Sequence, residues 1–380
     1  MKRAPAEPGA LAAEYITEPP ATLTGVFAGL SLIWAVAIFV ASAAAVWLAG
    51  LSLSDTTDVL ERRFGFGEAL GGLVILAVTT NLPEIAITIG AAVSGDLAIA
   101  IGNILGGIAI QTLVLVALDG FGIRGGAPLT YRAASLILVL EAALVIGVLT
   151  VSVMGHFLPA SLVIWRIGPA ELLIVVLWVL GLLLISRSRG KLPWHEAGNP
   201  PDGQTLPRGH AAEARAAQAM SAGTRRVLVR FTIASVVTLA AGLILEQSGE
   251  RIASGLGISG VIFGATILAA STALPEVSTG IASVRMGDYQ LAVSDIFGGN
   301  AFLMTLFLLA GLIAGRTVLP ETTPVDIYLT GLGILLTVVY AWGLVVRPVR
   351  RIGPIGIDSA IALALYVIGM IGFATFAGGI

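Results

Sequence analysis

Cysteine is absent from the 380 residues, which excludes disulfides and thiol chemistry. Charge is scarce: 12% of the chain is Asp, Glu, Lys or Arg against 57% hydrophobic residues, and the mean hydropathy is +0.96. Water-soluble domains do not have that balance, so the chain reads as an integral membrane protein. A pattern of short, alternating strands is also missing. The apolar runs instead last about twenty residues, the length a helix rising ~1.5 Å per residue needs to cross a hydrocarbon core of about 30 Å. Only three histidines occur, His156, His195 and His210, and all fall outside these runs. That removes the ligands an intramembrane metal-dependent enzyme would use. Residues 1–22 carry Lys2, Arg3, Glu7, Glu14, Glu18 and four prolines, without the apolar core of a cleavable signal.

Ten spans can be drawn, near 23–49, 70–94, 98–119, 131–153, 168–186, 227–248, 259–284, 289–314, 325–346 and 357–378. With both termini extracytoplasmic, sixteen of the 21 basic residues fall on the inside, as the positive-inside rule requires. The proline- and glycine-containing segment from Ser186 to Thr224 reads as a cytoplasmic linker with one short helix near 210–220. The expected organisation is a tail over 1–22, a five-helix repeat over 23–186, the linker over 187–226 and a second five-helix repeat over 227–380. His195 and His210 read as solvated linker residues, and His156 as part of an outside loop.

A duplication runs through both halves at a constant offset of 192 residues. Thr79-Thr80-Asn81-Leu82-Pro83-Glu84 returns as Ser271-Thr272-Ala273-Leu274-Pro275-Glu276. Gly95-Asp96 returns as Gly287-Asp288, and Gly106-Gly107 as Gly298-Gly299. An odd number of spans per copy makes the second copy enter the membrane from the opposite side. The expected fold is therefore an all-α membrane protein of ten helices in two inverted five-helix repeats, whose discontinuous helices meet at the midplane as in secondary transporters.

Each proline removes a helical hydrogen bond, from the carbonyls of Thr79 and Ser271 respectively. Each glutamate puts a carboxylate near the centre of an apolar span, where an isolated charge is costly. Freed carbonyls, the hydroxyls of Thr80 and Thr272, and the carboxylates of Glu84 and Glu276 make an all-oxygen, doubly negative site. Such a site suits a hard cation, Ca2+ or a similar divalent ion. The glycines are expected to let helices approach closely. Asn103, Gln111, Asp295 and Asn300 need a polar interior, and Glu141 of the fourth span, whose equivalent is Gly333, is a gating, proton-linked or structural carboxylate. Glu171 and Glu246 lie near span ends and are expected to reach the interface, while Asp96 and Asp288 read as turn residues.

These residues resemble the cation/Ca2+ exchanger superfamily, which includes the sodium/calcium exchangers. Its two repeats are similar to G-T-S-x-P-E followed by G-N-x-x-G-S-N. Here T-T-N-L-P-E is followed by G-N-I-L-G-G, and S-T-A-L-P-E by S-D-I-F-G-G-N. The resemblance implies that Glu84 and Glu276 bind Ca2+ and the counter-ion in turn, that Thr80 and Thr272 supply oxygens, and that the backbone carbonyls of Ala77 and Ala269 line the sites. It also makes the first and sixth spans the moving elements. The departures are Asn81 and Ala273 in place of serine, Gly107 and Gly299 in place of serine, and Leu303 opposite Gln111. They remove hydroxyl ligands from the flanking sodium sites, although Asn81 and Gln111 can offer amide oxygens. Asn103, Gln111, Asp295, Asn300 and Glu141 are thus candidates for coupling-ion or supporting roles, with Na+ and H+ both open.

The expected activity is secondary antiport of a divalent cation, with a cation channel or a transport-inactive member of the same fold as alternatives. No cofactor is implied, and the partners are the lipid bilayer and inorganic cations, with no nucleic acid. The expected location is the plasma, or inner, membrane, and the oligomeric state is left open.

Overall fold

The computed structural model describes residues 27, 29–64, 77–123, 126–133, 135–163, 167–188, 223–285 and 287–377. The first half comprises α1 (Leu32–Phe64), α2 (Leu82–Ser94), α3 (Leu97–Ala117), the short α4 (Leu129–Ala133), α5 (Leu136–His156) and α6 (Pro169–Ser188). The second comprises α7 (Thr224–Leu256), α8 (Gly260–Phe263), α9 (Ala269–Thr272), α10 (Leu274–Arg285), α11 (Tyr289–Leu303), α12 (Leu306–Ala314), α13 (Pro324–Val346) and α14 (Ile357–Ala377). A two-residue hairpin, Arg351–Ile352 with Ile355–Gly356, precedes α14. Among the described residues, nine helical segments are long and apolar enough to cross a membrane, and α2 supplies a tenth, shorter apolar helix. The tail over 1–22 and the linker from 189 to 222, with the proposed helix near 210–220, lie outside the described residues.

Several span limits differ from the hydropathy reading. The first helix described starts at Leu32 and its helical backbone runs on to Phe64, beyond the expected end near 49, while the expected start near 23 lies outside the described residues. The sixth runs to Leu256 rather than 248, because the polar stretch Glu246 to Arg251 continues the helix until Gly257 ends it in the left-handed conformation. The eighth is interrupted at Met304–Thr305, between α11 and α12.

The glycine-rich helices form the centre. α3 and α11 are the most deeply buried spans, while α1, α6, α7 and α14 present much of their apolar surface outward, as lipid-facing helices do. α1 packs along α7, α5 lies between α6 and α13, and α3 contacts α11 and α13. Gly102 of α3 lies against the backbone of Val261 in α8, and Gly106 against the π-helical turn Gly264–Leu268, so that a side chain at Gly106 would collide with the backbone of Ala265. Close backbone approach at this point is what glycine supplies.

The duplication survives in three dimensions. α2 and α10 are each followed by a glycine in the left-handed conformation, Gly95 at φ 81° and Gly287 at φ 84°, and then directly by an aspartate that caps the next helix. Asp96 accepts from the amide of Ala98 at 3.2 Å and Asp288 from that of Leu291 at 2.9 Å. The turn reading of these aspartates is thereby specified: each is a helix N-cap. Asn300 and Ile108 are equivalents in the two copies, and Asn300 Nδ2 donates to the carbonyl of Ile108 at 3.5 Å. A residue that touches its own equivalent lies beside the pseudo-twofold axis, which therefore passes between α3 and α11.

Candidate cation site

The two proline-glutamate stretches bend the chain at the same repeat position. Helical turns on either side flank Asn81 (φ −92°, ψ 17°) and Ala273 (φ −76°, ψ 0°), and the prolines follow two residues later. Each break is one residue wide: Asn81 N still bonds Ala77 O at 3.3 Å, and Ala273 N bonds Ala269 O at 3.0 Å. The bond that proline cannot make, to the residue four before it, is what allows the bend.

The bends bring Glu84 and Glu276 together. Gln111, from α3, donates through Nε2 toward Glu84 Oε1 at 3.3 Å, Glu276 Oε1 at 3.4 Å and Asn81 Oδ1 at 3.3 Å. Thr272 of the second repeat lies within hydrogen-bonding reach of Glu84 of the first. Glu84, Glu276 and Asp295 are close enough to act on one another electrostatically. Asp295 Oδ2 accepts from Thr279 at 2.9 Å, and the neighbouring Ser294 donates to Glu141 Oε1 at 3.0 Å. A polar line thus runs from the glutamate pair through Thr279 and Asp295 toward Glu141 on α5.

The site is closed to solvent. Asn81, Glu84, Gln111 and Thr272 are 0% exposed and Glu276 is 1% exposed. Within this enclosure Glu84 Oε2, Glu276 Oε2 and Gln111 Oε1 have no hydrogen-bond partner among the described residues. Buried, unpaired carboxylate oxygens are costly, and a cation or a proton is what satisfies them. The donor set of carboxylate and amide oxygens is that of a hard cation.

The other sequence candidates fall around this centre in different ways. Thr80 lies beside Asn81, whose Nδ2 reaches Thr80 Oγ1 at 3.3 Å. The carbonyls of Ala77 and Ala269 each accept two bonds in this conformation: Asn81 N and Nδ2 on Ala77, Ala273 N and Thr272 Oγ1 on Ala269. Asn300 bonds Thr112 Oγ1 at 3.0 Å, on the pseudo-axis rather than at the glutamates. Asn103 is fully buried with both amide atoms unpaired among the described residues.

Three expectations need correcting. Glu171 does not reach the interface. It is 2% exposed, and its Oε1 accepts from the amides of Val318 at 2.9 Å and Leu319 at 3.1 Å, because the loop before α13 folds over it. Glu246 is 0% exposed, because α7 continues ten residues beyond it instead of ending there. His156 is the last residue of α5 rather than a loop residue, and its Nδ1 lies 3.0 Å from Thr322 Oγ1. Not all the repeated glycines serve helix packing either. A side chain at Gly107 would meet only Leu303 at 3.7 Å, and one at Gly299 would meet the amide of Asn81, so these two make room at the site.

Sequence reasoning missed Thr279, Ser294 and Thr112, whose hydroxyls carry the network. Their signal is a hydroxyl one turn or less from a singled-out acid or amide, which is common in any helix.

The sequence profile of the sodium/calcium exchanger protein family matches residues 34–198 and 227–375, which is most of the chain. The chain belongs to the sodium/calcium exchanger family. It is 25% identical over 299 residues to the inner membrane protein YrbG of Escherichia coli strain K12, covering 78% of this chain and 85% of that one. To CaxA of Alkalimonas amylolytica it is 27% identical over 271 residues, covering 70% and 76%. Its fold matches the H+/Ca2+ exchanger CAX with a TM-score of 0.57 at 16% identity, covering 90% of this chain and 88% of that chain. It matches the sodium–calcium exchanger NCX_Mj with the same score and identity, covering 90% and 99%. Membership and fold agree with the internal evidence: ten transmembrane helices in inverted repeats, in an integral membrane protein of the cation antiporter class. The exchanger family and its fold are those of transporters rather than enzymes.

Proposed function

We propose that the protein exchanges Ca2+, or a similar divalent cation, against H+ by alternating access, with Glu84 and Glu276 as the shared site for both. The observation that supports this most directly is the pair of buried glutamates from opposite repeats, each hydrogen-bonded to Gln111 and each keeping one unpaired oxygen. One divalent cation neutralises the pair, and so do two protons. Either loaded state removes the cost of carrying bare charge through the membrane interior, whereas the unloaded dianion does not. Exchange without leak follows from that difference.

Proton rather than Na+ coupling is supported by the surroundings. Na+ needs several neutral oxygens, yet Ala273, Leu303, Gly107 and Gly299 stand at positions where the family pattern offers polar side chains, and Leu303 is fully buried. A proton needs only a carboxylate, and Glu84, Glu276 and Asp295 provide three. Gln111 links the states: its Nε2 caps both carboxylates here, and a half-turn of the amide would present Oε1 to a bound cation. Thr80, Thr272 and Asn81, with the carbonyls of Ala77 and Ala269, complete the proposed cation site. Asn103, Asn300 and Glu141 belong to its support. The α1–α7 pair is the proposed moving unit. The division at 1–22, 23–186, 187–226 and 227–380, the inner-membrane location and extracytoplasmic termini are part of the same reading.

The test is Ca2+ flux into proteoliposomes under imposed pH or Na+ gradients. A pH gradient is expected to drive uptake, and Glu84→Gln or Glu276→Gln to abolish it. Flux driven by Na+ alone would replace the proton with sodium in this scheme. Flux driven by neither gradient, or unchanged in both variants, would end it.

A further inference from the structure

The chain between α13 and α14 turns back at one membrane face, since both helices are long and apolar enough to span. Its stretch from Val345 to Ile352 mixes apolar and basic residues. Arg347, Arg350 and Arg351 stand among Val345, Val346, Val349 and Ile352, and all four apolar side chains are more than half exposed. Arg347 follows α13 at φ 54°, the left-handed conformation that a glycine or asparagine usually supplies at a helix end. It is the one non-glycine residue with a positive φ among the described residues. A side chain is strained there and glycine would not be, so the arginine has a use beyond ending the helix.

Two of the guanidiniums are held in place by neutral groups. Arg347 Nη2 donates to Tyr131 O at 3.2 Å, and its guanidinium lies over the Tyr131 ring, 4.7 Å from the centroid. Arg351 donates through Nη1 to Gly126 O at 2.9 Å and through Nη2 to Pro354 O. Nε of each is buried with no acceptor among the described residues. Arg350 is exposed. The neighbouring acids do not offset this charge. Asp119 accepts from the amides of Leu129 at 2.9 Å and Gly356 at 2.6 Å, Asp358 accepts from Thr130, and neither forms an ion pair with the three arginines. Membrane topology alone asks for positive charge in such a loop. It does not ask for anchored guanidiniums or for arginine at a left-handed position.

We propose that Arg347, Arg350 and Arg351 form a headgroup site for an anionic phospholipid, whose phosphate meets the guanidiniums and whose acyl chains lie against the exposed valines and Ile352. The planar fork of donors on arginine matches phosphate oxygens, and basic segments beside a span attract anionic lipids. The occupant is a lipid rather than a free anion because the apolar side chains are interleaved with the arginines. They continue the outward-facing apolar surface of α14, so one molecule with a charged head and an apolar body covers both.

Titration of fluorescent phosphatidylglycerol into the full-length protein in neutral detergent tests this, with phosphatidylcholine carrying the same label as control and inorganic phosphate as competitor. Phosphatidylglycerol is expected to bind about tenfold or more tightly than phosphatidylcholine. Each arginine removed should weaken it about fivefold, so that Arg347→Gly/Arg350→Gln/Arg351→Gln loses on the order of a hundredfold. Arg350→Lys/Arg351→Lys keeps the charge and should lose much less. Glycine takes the conformation of Arg347 freely and Arg350 is exposed, so Arg347→Gly/Arg350→Gln is a second variant that keeps the fold and should still lose most of the preference. The proposal is overturned if the two lipids bind alike, or if both variants keep the preference for phosphatidylglycerol. It is also overturned if inorganic phosphate displaces the lipid at equal concentration, which would make this a site for a free anion. No ion gradient enters the assay, so its outcome is separate from that of the antiport reading.

Discussion

Gln111 and Leu303 occupy equivalent positions in the two repeats, and each faces the other copy's glycine: Gln111 faces Gly299, and Leu303 faces Gly107. The backbone is symmetric here while the chemistry is not. One side has an amide that reaches both glutamates, and the other a fully buried aliphatic group.

Leu303→Gln would make the pair symmetric. Gly107 leaves space beside it, so the longer amide fits with small adjustment. Added oxygen at this position is expected to let Na+ compete at the site, so that Na+ should inhibit Ca2+ uptake more strongly in this variant than in the unaltered protein. Gln111→Leu makes the opposite symmetric pair. It leaves both carboxylates without their shared donor, and loss of a hydrogen bond to a charged group costs roughly 1.5–3 kcal/mol. Ca2+ uptake should fall by tenfold or more on that scale, about 1.4 kcal/mol per factor of ten.

Gly106→Ala and Gly107→Ala separate packing from site architecture. At Gly106 the new methyl meets the Ala265 backbone, which cannot move aside as a side chain would, so about 1–3 kcal/mol of destabilisation is expected. At Gly107 it meets Leu303 at 3.7 Å, an ordinary contact. Thermal unfolding in detergent should show a lower midpoint for the first variant and little change for the second. Equal midpoints would contradict the close approach of α3 to the π-helical turn.

Glu171→Ala should be destabilising although it lies outside the glutamate pair. Two backbone amides, of Val318 and Leu319, would lose their acceptor in a buried setting, at about 1–3 kcal/mol each. Glu171→Gln keeps an acceptor oxygen and should sit between the two in thermal midpoint. Binding of Ca2+ by the surviving folded protein should be unchanged.

The sequence made some of this arrangement readable and hid the rest for physical reasons. Pro83–Glu84 and Pro275–Glu276 stand out because an apolar span has no local use for either residue, and their equal spacing identifies the pair. The bridging role of Gln111 is a contact across 165 residues to Glu276, set by how α3 crosses both bends. Neither hydropathy nor repeat spacing carries that information. Glu246 illustrates the opposite failure: hydropathy falls at Glu246–Arg251, yet the helix continues, and neighbouring helices bury the acid that composition would assign to the surface.

Pro83→Ala and Pro275→Ala test whether the one-residue breaks matter for movement rather than for stability. Alanine restores an amide able to donate to the carbonyl of Thr79 or Ser271, and because both prolines lie in the first turn of α2 and α10, where proline is tolerated, the gain is far smaller than in a helix interior. Each variant should therefore unfold at an equal or higher temperature. A straightened helix, however, turns Glu84 or Glu276 away from Gln111, and a stiffer bend resists the shift between outward and inward states. Ca2+ flux is expected to fall with Ca2+ affinity reduced, and the double variant to lose more than either single change. Unaltered flux in a protein of raised stability would mean that the prolines only record where the chain bends, and that the glutamates find each other without them.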